Sequence, residues 1–289
     1  MKIIINILKF IIMVILTVCL LFVGIKNVVT STMLNKKYIL QKLDETNFYS
    51  ETYKIVKSNF ENYISQSGLD EDVLENICTE DKVKKDINIR ISNIYDGTNE
   101  EIDTAEIAER LNSNIDKQNV RTSKNSKAID EFVNHICESY RDSIINTKYD
   151  KTINTLYEKT LRKLETINKI VITISIIGIV LLVVLNIKNI SKILANLAET
   201  TFATSLLQFV FIIIIKTKVD ISNIKAFNEA FSETIVEIIK NILNQINILG
   251  IVMLFISIIF TVIYEIIVYH TSVKNKKELE NREGRRWKN

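Results

Sequence analysis

Four long apolar blocks interrupt a chain whose other hydrophobic residues recur every three or four positions. The first block covers residues 3–25, broken by Asn6 and Lys9, with an uncharged core at 10–25. The second, 170–187, is nearly all Ile, Val and Leu. The third, 201–215, is shorter, and the fourth, 246–269, carries one charge, Glu265. A helix that spans a bilayer needs roughly 17–25 apolar residues. The second and fourth blocks reach that length. The first reaches it if Lys9 snorkels toward the headgroups, and the third only if Lys216 and Lys218 do the same. The competing assignment is a buried strand or core helix, since Ile and Val favour strands. Uncharged runs this long have no partner large enough in a soluble fold of 289 residues, and the period-2 alternation of a barrel strand is missing. For the third block a re-entrant or interfacial placement stays open. The pattern predicts an all-α protein with spans at 1–25, 169–187, 201–219 and 246–270.

Residues 26–168 predict a helical domain long enough to bury a core. Phe48, Tyr49, Thr52, Val56, Phe60, Tyr63 and Ile64 fall on one helical face, and Gly68 is placed to end that helix. A short helix is expected at 69–77. Another runs from a Thr79 cap to Tyr95, with Gly97 as its stop. A further helix opens at Asp103 or Thr104, with Glu106 placed for a capping box, and fades near Asn119. Residues 120–127 are polar and basic and read as a turn or mobile loop. From Ala128 an unbroken helical pattern leads into the second block, which predicts one rod entering the membrane. The first block likewise continues to Leu43 without a strong breaker. Held at both ends, the domain has the outline of the helical periplasmic sensing modules of bacterial receptors, an analogy of fold alone. Residues 220–245 form a second amphipathic pattern, suited either to the membrane surface or to docking on the bundle. Residues 188–200 form a short connection.

The first block exceeds the usual apolar length of a cleaved signal peptide, and no small-x-small site follows it. Cys19 is preceded by Val18, a poor fit to a lipoprotein signal. The block is expected to be an uncleaved signal anchor. Orientation follows the Lys/Arg bias. Lys274, Lys276, Lys277, Arg282, Arg285, Arg286 and Lys288 crowd the tail at 271–289, which places it in the cytoplasm. Four spans then put the N-terminus and the 188–200 connection inside, and 26–168 and 220–245 outside, on the extracytoplasmic face of the cell membrane. Lys159, Arg162, Lys163 and Lys169 oppose this, but long domains translocate largely regardless of charge. The 26–168 segment has 21 basic and 25 acidic residues in a chain whose net charge is +3, so the basic excess lies with the oily parts.

Candidate chemistry is sparse. Six Gly, two His and no Pro leave little for phosphate loops or His-rich metal sites, and no cofactor or metal is expected. There is no HExxH, G-x-S-x-G, Walker A or kinase signature. Cys78 and Cys137 share the exported domain, where a disulfide is one option and two free buried thiols the other. His135 and Cys137 diverge at i, i+2 on a helix. Glu265 is an acid inside an apolar block, a suspect for ion or proton handling. Its neighbours Tyr264, Tyr269 and His270 instead suit a headgroup belt. Gln208 is a possible interhelical hydrogen bonder. The acidic groups at 70–72 and 100–103 read as solvated helix starts, and 120–127 lacks the interleaved aromatics of a nucleic-acid patch.

The stretch 47–97, with Asn59-Phe60-Glu61-Asn62-Tyr63, Ser67-Gly68-Leu69-Asp70 and Asn93-Ile94-Tyr95-Asp96-Gly97, resembles multi-span membrane proteins of AT-rich, low-GC Gram-positive bacteria, a group with no assigned activity. Heavy Ile, Asn and Lys usage fits such a genome. The resemblance implies topology and a bacterial envelope, and no reaction or site. The functional expectation is a non-catalytic membrane protein whose helical domain binds, senses or scaffolds. Its partners would be the lipid bilayer and other envelope proteins or an extracellular ligand, with no nucleic acid. The alternative is a transporter or channel component working through the last three spans and Glu265, and a weaker third is a membrane enzyme with scattered acids.

Overall fold

The computed structural model describes residues 2–144, 150–224 and 229–286. They form nine α-helices: α1 (Lys2–Ser31), α2 (Lys36–Glu45), α3 (Phe48–Ser67), α4 (Glu80–Asp96), α5 (Ala105–Lys117), α6 (Ser126–Ser143), α7 (Asp150–Leu185), α8 (Ile190–Lys218) and α9 (Glu229–Arg286). Two 3-10 turns occupy Glu71–Leu74 and Ile221–Asn223. No strand occurs among the described residues. The chain divides into a helical unit (Ser31–Arg162 with Ile221–Ile239) and an apolar unit (Met1–Thr30, Lys163–Asp220 and Lys240–Asn289).

In the helical unit, local sequence sets the helix ends. Thr79 caps α4 by accepting the Lys82 amide, and Asn35 caps α2 by accepting that of Tyr38. Gly68 and Gly97 close α3 and α4 in the left-handed region, at φ 74° and 69°, where a Cβ is costly. At the start of α5, Asp103 accepts the Ala105 amide while Glu106 pairs with Arg110, so the expected capping box does not form. The short helix expected at 69–77 is reduced to the Glu71–Leu74 turn.

α3 packs chiefly on α6 and α4, and α5 packs on α6 and the first 3-10 turn. Phe48, Val56, Ile87, Ile107, Leu111 and Ile136 are fully buried in this core. The segment 221–239 contributes to it: Ala230 is buried, Phe231 lies 5.8 Å from Phe48, and the Thr46 and Thr234 hydroxyls are 2.8 Å apart. Of the two placements open for this amphipathic stretch, the structure has docking on the bundle.

Neither expected rod is continuous. α6 ends at Ser143, where Asn59 donates to Ser143 Oγ at 2.9 Å and Ile144 turns into the core with no exposure. Burial of Ile144 outweighs continuation of the helix, and α7 begins afresh at Asp150. α1 stops at Ser31, because Asn35 starts a new helix from its side chain. α2 and α3 are separate as well, with Asn47 in the left-handed region at φ 54°. By contrast, the amphipathic stretch and the fourth apolar block, read as separate elements meeting at 245, join in one helix, and α9 runs for 58 residues. Most of 188–200 is helical too, since α8 opens at Ile190 behind an Asn189 cap.

The apolar unit inverts the usual burial pattern. Four helices are long and apolar enough to cross a membrane, at Ile3–Ser31, Lys151–Leu185, Ile190–Lys218 and Glu229–Lys276. Only 11 % and 17 % of the apolar windows of the second and fourth are buried. Ile170, Ile177, Val184, Phe255 and Ile259 are each more than half exposed. An apolar surface this continuous would not remain in water, and it suggests a multi-pass membrane protein. Gly178 allows α1 and α7 to approach: a Cβ there would sit 2.9 Å from Leu16 Cδ2. Ser205 donates to the Gly250 carbonyl and Ser257 to that of Ala198, which ties α8 to α9. Hydroxyls elsewhere in these helices bond back one turn, as Thr204 does to Thr200 and Thr261 to Ser257.

Candidate functional site

The helical unit holds a buried polar cluster that sequence reading missed. Asp86 of α4 is 2 % exposed. It accepts from the Tyr140 hydroxyl of α6 at 2.6 Å and from Lys82 Nζ, one turn earlier on α4, at 3.1 Å. Lys82 also donates to the Asp103 carbonyl at 2.8 Å and lies 5.7 Å from the centre of the Tyr140 ring. A carboxylate this deep needs its lone pairs filled, and two donors do that here. The visible signal was Asp86 beside Ile87 in the stripe of Val83, Ile87 and Ile91, with a cation four residues before it.

The chemistry of the cluster is quiet. Burial, reinforced by the bond to Asp86, holds the Tyr140 phenol far above its ordinary range. Burial likewise pushes the Cys78 thiol up to about 11. A phenol and a thiol that both keep their protons at neutral pH are donors, not nucleophiles. The arrangement is a lock between α4 and α6. A cleft of about 210 Å³ beside it, lined by Tyr53, Phe60, Leu74 and Cys78, is too small for a ligand of ordinary size.

Other nodes are structural in the same way. Asn93 receives Thr98 Oγ1 and the Glu100 amide and donates to the Glu100 carbonyl, which pins the 97–104 connection. Arg141 donates to Thr104 Oγ1 at 2.8 Å, holding the start of α5 on α6.

The alkaline limit of the unit follows from these protons. Burial pushes Tyr49 and Tyr95 up to about 12 and Cys78 up to about 11. All three shifts are upward, so the folded unit keeps protons that the unfolded chain releases first. The stabilisation is complete below the unfolded thiol and phenol values of 9.0 and 10.0 and is lost as pH climbs through the folded ones. Circular dichroism of the detergent-solubilised chain should stay level from neutral pH to about 9 and then fall steadily toward 12. A decline that began below pH 8 would contradict this.

The residues singled out from sequence do not converge on a site. Cys78 and Cys137 are free, buried thiols, donating weakly to the carbonyls of Thr79 and Thr104 at 3.6 and 3.9 Å. Cys19 is buried in α1. His135 is exposed and lies 3.7 Å from Glu138. Among the described residues no three His, Cys, Asp or Glu gather as metal ligands. Glu265 is exposed on α9. Lys9 donates to Asn186 Oδ1 at the end of α7. Gln208 is fully buried on α8, and neither of its amide atoms has a hydrogen-bond partner among the described residues. Its Nε2 lies 3.2 Å from where a Cβ on Gly24 would stand.

The class these features define is an all-helical protein with four helices able to cross a membrane and a separate helical unit with its own core. No family model matches the chain, and no curated protein or solved structure matches it either.

Proposed function

We propose that the chain is a multi-pass membrane protein that displays its helical unit on the extracytoplasmic face, where it binds, senses or scaffolds envelope components without catalysis, and that both termini are cytoplasmic. The observation that carries this reading is the use of the unit's buried polar groups. Asp86 and Tyr140, with the part-buried Lys82, join α4 to α6, and buried Asn93 pins the 97–104 connection. What the unit offers to other molecules is therefore its surface.

Trypsin added to intact cells tests the display. The α5–α6 connection carries Lys124, and Lys127 beyond it is 92 % exposed. Cleavage there in intact cells is expected, giving two membrane-bound fragments. A chain that survives intact and is cut only after lysis would place the unit in the cytoplasm and refute the reading.

A further inference from the structure

At one end of the apolar unit, α7 stops at Leu185 and α8 starts at Ile190, joined by a turn closed by the Asn189 amide on the Asn186 carbonyl at 2.7 Å. This turn and α9 enclose a cleft of about 970 Å³. Its walls have two characters. Ile187, Ile190 and Val268 form an apolar side, with the two isoleucines 69 % and 67 % exposed. Lys188, Ser272 and Lys276 form a polar side, and no carboxylate lines the cleft among the described residues. Neither lysine has an ion-pair partner among the described residues. A second cleft of about 560 Å³ on the other side of the same turn adds Lys9 and Lys192.

The level of the cleft along the helices is set by sequence. The apolar run of α7 ends at Leu185, and that of α9 ends at Tyr269 and His270, whose rings lie 6.0 Å apart. Aromatic side chains of this kind mark the depth where hydrocarbon meets headgroups. Exposed isoleucines beside unpaired lysines at that depth match a molecule with an acyl chain and an anionic head. A free phosphate would satisfy the lysines and leave the isoleucines unused. A zwitterionic lipid would bring its own cation toward them.

We propose that this cleft binds an anionic phospholipid, with the phosphate diester held between Lys188 and Lys276 and an acyl chain laid along Ile187, Ile190 and Val268. Bound there, the lipid joins the α7–α8 turn to α9. Basic pockets between membrane helices are suited to such headgroups.

The test uses the full chain in detergent, with lipid retention read by native mass spectrometry. The probes are phosphatidylglycerol, phosphatidylcholine of the same acyl chains, and inorganic phosphate. Phosphatidylglycerol should be retained in preference to phosphatidylcholine, and millimolar phosphate should not displace it. Retention should fall roughly thirtyfold in K188Q/K276Q and about fivefold in either single variant, so one folded variant suffices. K188R/K276R should restore it. Equal retention of the two lipids, unchanged retention in every glutamine variant, or displacement by phosphate alone would each overturn the proposal, the last by assigning the cleft to a free anion. The inference goes beyond display and rests only on the four apolar helices. A chain that is soluble without detergent would refute those helices, whereas a detergent-dependent chain that does not discriminate between lipids would refute only the lipid site.

Discussion

Replacing Asp86 with alanine should bring the helical unit close to unfolding. The carboxylate is 2 % exposed and fills the bonding capacity of a buried phenol and a lysine that is itself 14 % exposed. Removing one partner of a buried charged pair costs about 3–5 kcal/mol, because the other partner is left buried and uncompensated. A domain of this size has only about 5–15 kcal/mol in total. The reporter is Cys137, which is buried on α6 and hydrogen-bonds to the Thr104 carbonyl rather than to the cluster. In the full chain its alkylation rate should rise a hundredfold or more in D86A, since roughly 3 kcal/mol is a factor of about 150. Y140F removes only a donor and should cost about 1–3 kcal/mol. The triple replacement K82M/D86L/Y140F removes every member of the cluster and should recover most of the loss. Wild-type alkylation in D86A would show that the lock between α4 and α6 does not hold them.

Gln208→Leu should stabilise the apolar unit, the reverse of what most core substitutions do. A buried amide with neither atom bonded costs about 1–3 kcal/mol. Ile212, one turn on, belongs to an apolar cluster with Val28 and Ile246, and Gly24 leaves room for the amide nitrogen. Leucine fills similar space with nothing to satisfy. The thermal midpoint of the detergent-solubilised chain should rise by a few degrees, the shift that about 1–2 kcal/mol produces in a chain of this length. A fall in midpoint would mean that the Gln208 amide is paired in the folded molecule, and the account of α8 packing would be wrong.

The helix ends with glycine or threonine signals were legible in the sequence. Gly68, Gly97 and Thr79 act as their chemistry requires, because each works through its own backbone or side chain within one turn. The apolar blocks were legible because composition alone defines them. The breaks at 32–35, 46–47 and 144 were not. They rest on the Asn35 cap, on the left-handed backbone at Asn47 and on the burial of a single isoleucine, and none of these interrupts a hydrophobic period. The fusion of the amphipathic stretch at 229–245 with the fourth block was hidden for the same reason, since its helical phase never resets. Asp86 was hidden because a lone acid on a helix is normally solvated, and only the approach of Tyr140 from 54 residues away shows that it is not. Glu265, which the sequence left between ion handling and a headgroup belt, is exposed on α9.

The central claim is that four crossings hold the helical unit on one side of a bilayer and the tail on the other. Single cysteines at Ser123, Ser191 and Lys274, in a chain lacking Cys19, Cys78 and Cys137, test it with a membrane-impermeant maleimide on cells. The account expects label at 123 in intact cells, and at 191 and 274 only after permeabilisation. Label at 123 and 274 on the same side would mean an even number of crossings between them, as when α8 does not span, and would contradict the account.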